Sequence, residues 1–188
     1  MNAKLIVLNG ASSSGKSSIA TCLQQQLEGT WLTLGIDDLT RALSHGPSDT
    51  TAGGSLHLSS DGSIRVTHAF REAEIAWYKG VAAMVRAGAA VIADEVFLNG
   101  GKSQERFSAV LGGLPAIWVG VHCDLDAAEL REIDRGDRIR GQARHQADLV
   151  HDGVCYDLMV NTTHIPPDQC ATIIIEWMIS IDSSLSSG

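Results

Sequence analysis

Eight residues near the start of the chain, Gly10-Ala11-Ser12-Ser13-Ser14-Gly15-Lys16-Ser17, match the pattern G-x-x-x-x-G-K-[ST]. Each residue type has a reason to be there. Glycines let the backbone turn tightly and come close to phosphate oxygens. The N–H groups of the loop, and of a helix opening near Gly15 and running through Ser18, point at an anion. Lys16 can reach the β- and γ-phosphates of a nucleotide, and the Ser17 hydroxyl can join the shell of a Mg²⁺ ion. The pattern alone predicts phosphate binding and nothing more.

Two acidic pairs and an arginine cluster extend it. Asp37-Asp38 directly follows an apolar run, Trp31 to Gly35. In a parallel sheet, ligands sit outside the carboxyl ends of the strands, so a carboxylate here can face the γ-phosphate and take a proton from an acceptor hydroxyl. It can equally cap the helix that starts at these residues. Two aspartates allow both roles, with Asp37 as base and Asp38 as cap or helper. Ala90 to Asp94 is a second apolar run ending in acids. Asp94 could hold a water ligand of Mg²⁺ or orient a hydroxyl, and Glu95 could serve either purpose. Arg131, Arg135, Arg138 and Arg140 fall within ten positions, bounded by glycines. Guanidinium forks suit phosphate oxygens, and a lid over about 131–148 could carry them over a nucleotide.

The elements that must position these groups are legible as alternating strands and helices. Lys4 to Asn9, Trp31 to Gly35, Ala90 to Asp94, Ile117 to His122 and Leu158 to Asn161 are short apolar runs without clean alternation. Strands read this way when helices cover both faces of a parallel sheet. Helical spacing predicts helices over Lys16 to Glu28, His68 to Arg86, Asp126 to Asp134 and Pro167 to Ile181. The segment Ser55 to Val66 alternates apolar residues around Asp61-Gly62, a hairpin signal. Ser48 to Gly54 ahead of it reads as a loop. The small polar tail 183–188 is expected to fray. The predicted architecture is one α/β unit over 1–182, a three-layer P-loop fold with a five-stranded parallel sheet in the order 2-3-1-4-5.

Composition bounds the function. With 188 residues and a formal charge of -8, the chain lacks the positive footprint that nucleic acid demands. No apolar run approaches the roughly 18 residues of a membrane span. Cys22, Cys123, Cys155 and Cys170 form no C-x-x-C pair and read as reduced thiols of a cytoplasmic protein. The seven histidines show no metal-ligand spacing. Self-association is left open, since the long helix and the hairpin could support it.

With these residues in view, the chain resembles the chloramphenicol phosphotransferase-like proteins, small kinases of the nucleoside-monophosphate-kinase type. The likeness runs from Ile6-Val7-Leu8-Asn9-Gly10 to Asn161-Thr162-Thr163-His164. It includes Gly35-Ile36-Asp37, Phe70-Arg71 with Glu74 and Trp77, Asp94-Glu95-Val96-Phe97-Leu98, Gln104-Glu105-Arg106, and Arg135-Gly136-Asp137-Arg138. The resemblance implies ATP-dependent phosphorylation of an antibiotic's primary hydroxyl, with Asp37 at the place of the family's base. It implies that Arg135 and Arg138 lie near the phosphates or the adenine, and that the Thr162-Thr163 loop closes around the base. The likeness is weakest over Ala42 to Thr67, where such a kinase lines its acceptor pocket.

The resulting expectation is a phosphotransferase using ATP and Mg²⁺. Gly10 to Ser18, Arg131, Arg135 and Thr163 would bind the nucleotide. Ser17 and, through water, Asp94 would hold the metal. Asp37, Asp38, Arg71, Glu74, Asp94 and Glu95 would surround a small-molecule alcohol, with Asp37, Lys16, Arg135 and Arg138 acting in the transfer. ATP is expected over GTP because no N/T-K-x-D motif is present. Other alcohol acceptors, a nucleotide hydrolase or switch, and a non-catalytic nucleotide-binding module remain as alternatives.

Overall fold

The computed structural model describes residues 3–43, 56–58, 64–135 and 141–185. Five strands form the central parallel sheet: β1 (Leu5–Asn9), β2 (Trp31–Gly35), β5 (Ala90–Glu95), β6 (Ile117–His122) and β7 (Leu158–Asn161). Their spatial order is β2-β5-β1-β6-β7. Counted along the chain among these five, that is 2-3-1-4-5, as the sequence predicts. The helices are α1 (Lys16–Gln26), α2 (Ile36–Leu43), α3 (His68–Arg86), α4 (Gly101–Leu111), α5 (Leu125–Arg135), α6 (Gln142–Ala147) and α7 (Pro167–Leu185).

The period-2 alternation of strands sorts their side chains into two cores. Ile6, Leu8, Ile92, Val119 and Val121 pack against Ile19 and Leu23 of α1 and Ile174 and Met178 of α7. Leu5, Val7, Val91 and Ala93 pack against Tyr78, Val81 and Val85 of α3 and Phe107 and Leu111 of α4. Each buried Val, Leu, Ile, Phe or Met side chain among these contributes about 1.5–3 kcal/mol when fully buried. The register brings the strand ends level: Gly35 pairs with Asp94, Asn9 with Glu95, and Asn9 with Gly120. The Gly10 to Ser17 loop, the Asp37-Asp38 pair and Asp94 therefore all lie at the carboxyl end of the sheet.

Several boundaries differ from expectation. α1 stops at Gln26 because Leu27 turns extended (ψ 141) ahead of Gly29 (φ 86). α2 starts at Ile36, so the Asp37-Asp38 pair lies inside its first turn. α4 and α6 were not anticipated. α7 runs to Leu185, three residues into the segment expected to fray, while 186–188 lie outside the described residues. The short strands β3 (Leu56–Leu58) and β4 (Ile64–Val66) pair antiparallel, Leu56 with Val66 and Leu58 with Ile64, as a hairpin requires. Its turn and the 48–54 loop lie outside the described residues. Among the described residues, no helix is long and apolar enough to cross a membrane.

Candidate active site

The phosphate loop sits between β1 and α1. Ser13 adopts a left-handed backbone (φ 59), as does Gly15 (φ 91). A Cβ at Gly10 would lie 2.4 Å from the Val121 carbonyl oxygen, so glycine is required by close approach to β6. The hydroxyls of Ser12, Ser13 and Ser14 are buried and have no hydrogen-bond partner. Such orphaned polar groups inside a loop of N–H donors are what a phosphate chain would satisfy. Lys16 Nζ donates to the Gly10 and Ala11 carbonyls, both at 2.8 Å, and lies 3.9 Å from Asp94 Oδ1. Ser17 Oγ donates to Asp94 Oδ2 at 2.6 Å. One hydroxyl and one carboxylate in contact beside a lysine are a donor set that fits Mg²⁺ and phosphate oxygens.

Distant segments brace this loop. Gln146 Oε1 of α6 accepts the Ser12 N–H at 2.7 Å. Thr162 Oγ1, beyond β7, donates to the Ser14 carbonyl at 2.7 Å. Asn9 Oδ1 accepts from Phe97 N at 2.8 Å, and its Nδ2 donates to the Val150 carbonyl at 2.7 Å and to Tyr156 Oη. Glu132 of α5, buried, accepts from Gly141 N at 2.7 Å and Ala143 N at 3.0 Å, and so joins α5 to the start of α6. Gln146 and Glu132 were not singled out from the sequence. A lone glutamine or glutamate gives no signal until the segment it meets is known.

The acids separate by face. Asp94 points to the α1 side and meets Ser17. Glu95, next in β5, points to the opposite side and is buried beneath α3, where Tyr78 Oη donates to its Oε2 at 3.4 Å. Burial first, then the charges of Asp94 and Glu74, push the Glu95 carboxyl well above the usual carboxylate range. Asp38 Oδ2 accepts the Gly35 N–H at 2.9 Å and its Oδ1 takes Arg41 Nη1 at 2.8 Å. This is the backward half of a capping box. Asp37 is exposed in the same helical turn.

The remaining predicted residues meet the following partners. Arg131 donates from Nη2 to the Thr162 carbonyl at 2.7 Å and from Nη1 to Thr162 Oγ1 at 3.1 Å, so it holds the loop that touches Ser14. Thr163 Oγ1 accepts from Asp124 N at 2.8 Å; its neighbour Thr162 is the one against the phosphate loop. Glu74 is taken up by Arg71 and by Arg106, the latter not among the expected site residues. Arg135 ends α5, and Arg138 lies outside the described residues.

A strand–loop–helix phosphate site on a 2-3-1-4-5 parallel sheet defines the P-loop kinase class. Solved structures agree with the fold. The chain is similar to a sugar kinase from Janibacter (TM-score 0.67, 14% identity, 94% of each chain). It is also similar to the Mycobacterium tuberculosis APS kinase (0.62, 18%, 94% of this chain and 98% of that one). A third likeness is to Acinetobacter baumannii shikimate kinase (0.61, 16%, 93% and 92%). The family model of chloramphenicol phosphotransferase-like proteins matches residues 3–178, and the chain belongs to that family. A candidate O-phosphotransferase of Mycobacterium tuberculosis is 30% identical over 178 residues, 89% of this chain and 79% of that protein. The chain is accordingly a phosphotransferase with a hydroxyl acceptor.

Proposed function

We propose that the chain transfers the γ-phosphoryl group of ATP, taken up as its Mg²⁺ complex, to a hydroxyl of a small molecule. The observation that carries this is the Ser17–Asp94 bond at 2.6 Å beside Lys16. Bound ATP·Mg²⁺ would supply the phosphoryl group and neutralise part of its charge. The residues supply the rest. The loop N–H groups and Lys16 hold the phosphates, with Ser17 and Asp94 as the metal's donors. Asp37 accepts the hydroxyl proton as the acceptor oxygen bonds to phosphorus, and the oxygen bridging to the β-phosphate departs with ADP. Arg135 and Arg138 are assigned to the transferring phosphoryl group, on a lid spanning about 131–148 of one unit that includes 1–182. Four free thiols support a reducing, cytoplasmic setting.

The family name points first to an antibiotic alcohol such as chloramphenicol as acceptor. The second reading is a metabolite alcohol, favoured by the weak likeness of the segment Ala42 to Thr67. ADP release should be screened with chloramphenicol, other hydroxylated antibiotics, sugars and hydroxy acids, and products checked for the mass of one added phosphoryl group. ADP formed at the same rate with and without every acceptor would make the chain a hydrolase. Nucleotide binding with no turnover would make it a regulatory module.

A further inference from the structure

Arg71, Glu74 and Tyr78 follow one another at spacings of three and four along α3, on the face turned to β5 and α4. The Glu74 side chain is 5% exposed and collects three N–H groups. Arg71 Nη1 reaches both its oxygens, at 2.8 and 2.9 Å, and Arg106 Nε of α4 reaches Oε2 at 3.1 Å. Arg106 Nη2 goes to Ser103 Oγ at 3.0 Å. Two guanidinium groups thus share one carboxylate. Arg71 Nη2 is buried with no hydrogen-bond partner.

Neighbouring acids do not restore the balance. Glu95 bonds to Tyr78 rather than to either arginine, and its Oε1 lacks a partner. Asp94 is on the other face of β5, against Ser17. Asp38 is held by Arg41 and the Gly35 N–H. A structural ion pair needs one arginine, and a charge withdrawn from water without its own partner is unfavourable. Yet the cluster is not sealed, since the Arg71 and Arg106 side chains keep 20% and 26% of their exposure. α3 packs against α2, which carries Asp37, against β5, and against α4. The helix that carries Arg71 and Glu74 thus borders both α2 and β5, the two elements whose acids are assigned to the acceptor.

We propose that Arg71 and Arg106 form an anion subsite, and that the acceptor alcohol carries a carboxylate, sulfate or phosphate group. Two forks anchored on a common carboxylate present N–H groups in the planar pattern such anions match. The inference rests on the phosphotransferase reading for its occupant. Within that reading it favours a charged metabolite over an uncharged antibiotic.

The test has a binding arm and a turnover arm. With MgADP saturating the phosphate loop, sulfate is titrated into the chain by calorimetry. Saturable binding is expected, weakened about tenfold or more in Arg106→Met and little changed in Lys102→Met, an exposed neighbour on α4. Arg106→Lys, which keeps the charge, should fall between and serves if the Met variant does not fold. Absence of saturable sulfate binding, or equal binding by wild type and both Arg106 variants, overturns the subsite. In the turnover arm, hydroxy acids and phosphorylated or sulfated alcohols are compared with their uncharged analogues. Preference for the anionic members, and for one kind among them, identifies the group; equal turnover of charged and uncharged forms overturns the proposal. Sulfate binding with no alcohol turned over would uphold the subsite and sink the phosphotransfer reading instead.

Discussion

Ser17 Oγ and Asp94 Oδ2 are 2.6 Å apart although 77 residues separate them in the chain. The bond exists because β1 and β5 are adjacent and in a register that levels their carboxyl ends. If the pair serves a metal, weakening it should act through Mg²⁺. Ser17→Ala and Asp94→Asn should each raise the Mg²⁺ concentration for half-maximal turnover by about 10–100-fold. Affinity for metal-free ADP should change far less. A Mg²⁺ titration of ADP release checks this, and an unaltered requirement in both variants removes the pair from the metal site.

Asp37 and Asp38 are adjacent in the chain but differ in their surroundings. Asp38 is tied to the Gly35 N–H and Arg41, whereas Asp37 is exposed one position earlier in the same turn. Asp37→Asn should lower kcat by about 10²–10⁴-fold while the Kd for ADP stays put. Asp38→Ala should instead cost about 0.5–2 kcal/mol of stability through loss of the cap. A folded, inactive Asp38 variant beside an active Asp37 variant would reverse the two assignments.

Glu95 gives a pH signature of known sign. Its carboxyl is held well above the ordinary 4.5 by burial, then by Asp94 and Glu74. The folded chain keeps this proton after the unfolded chain has lost it. Stability is therefore forfeited as pH rises from about 4.5 towards the folded value. Glu95→Gln removes that slope. Its Tm relative to wild type should be higher at pH 8 than at pH 4.5, and a pH-independent difference would contradict the upward shift.

His151 predicts the opposite slope. It stacks on His122 with ring centroids 3.9 Å apart, and its Nδ1 lies 2.7 Å from Tyr156 Oη. Burial, then the charges of His122 and Lys16, hold it down from 6.5 to about 4. The folded chain binds fewer protons here than the unfolded one, so stability falls as pH drops from about 6.5 to about 4 and no further below. His151→Gln lacks this loss. Any stability advantage of wild type over the variant should shrink between pH 7 and pH 4.5 in denaturant titrations; a constant advantage would show that His151 does not titrate this way.

The sheet was legible because its strands are short aliphatic runs with both faces covered, and the P-loop fixed which strand came first. The helices α4 and α6 were not. α4 opens on Gly101, a poor helix former, and its apolar residues gather in its last five positions, at Phe107 and Ala109 to Leu111. The glycine at 100 has a spatial cause: a Cβ there would fall 2.0 Å from the Asp152 carbonyl oxygen, in a segment 52 positions on. Within the site, Gly10 to Ser17, Asp94 and Asp38 announced themselves by pattern. Arg106 and Gln146 did not, because their partners Glu74 and Ser12 lie 32 and 134 residues away. Asp94-Glu95 read as two interchangeable acids. Strand geometry sends them to opposite faces, where one meets a hydroxyl near solvent and the other a buried tyrosine.

The braces of the phosphate loop also set when it can exist. Asn9 is fastened to Val150 across 141 residues, Ser12 to Gln146 across 134, and Ser14 to Thr162 across 148. During synthesis, an emerging β1–loop–α1 segment has none of these partners until residues 146 to 162 have also left the ribosome. Contacts of such long sequence separation form late, after their loop-closure entropy has been met. The phosphate loop is thus translated before the segments that brace it and assembled only after them, so a bound nucleotide would lock the finished loop rather than template its early folding.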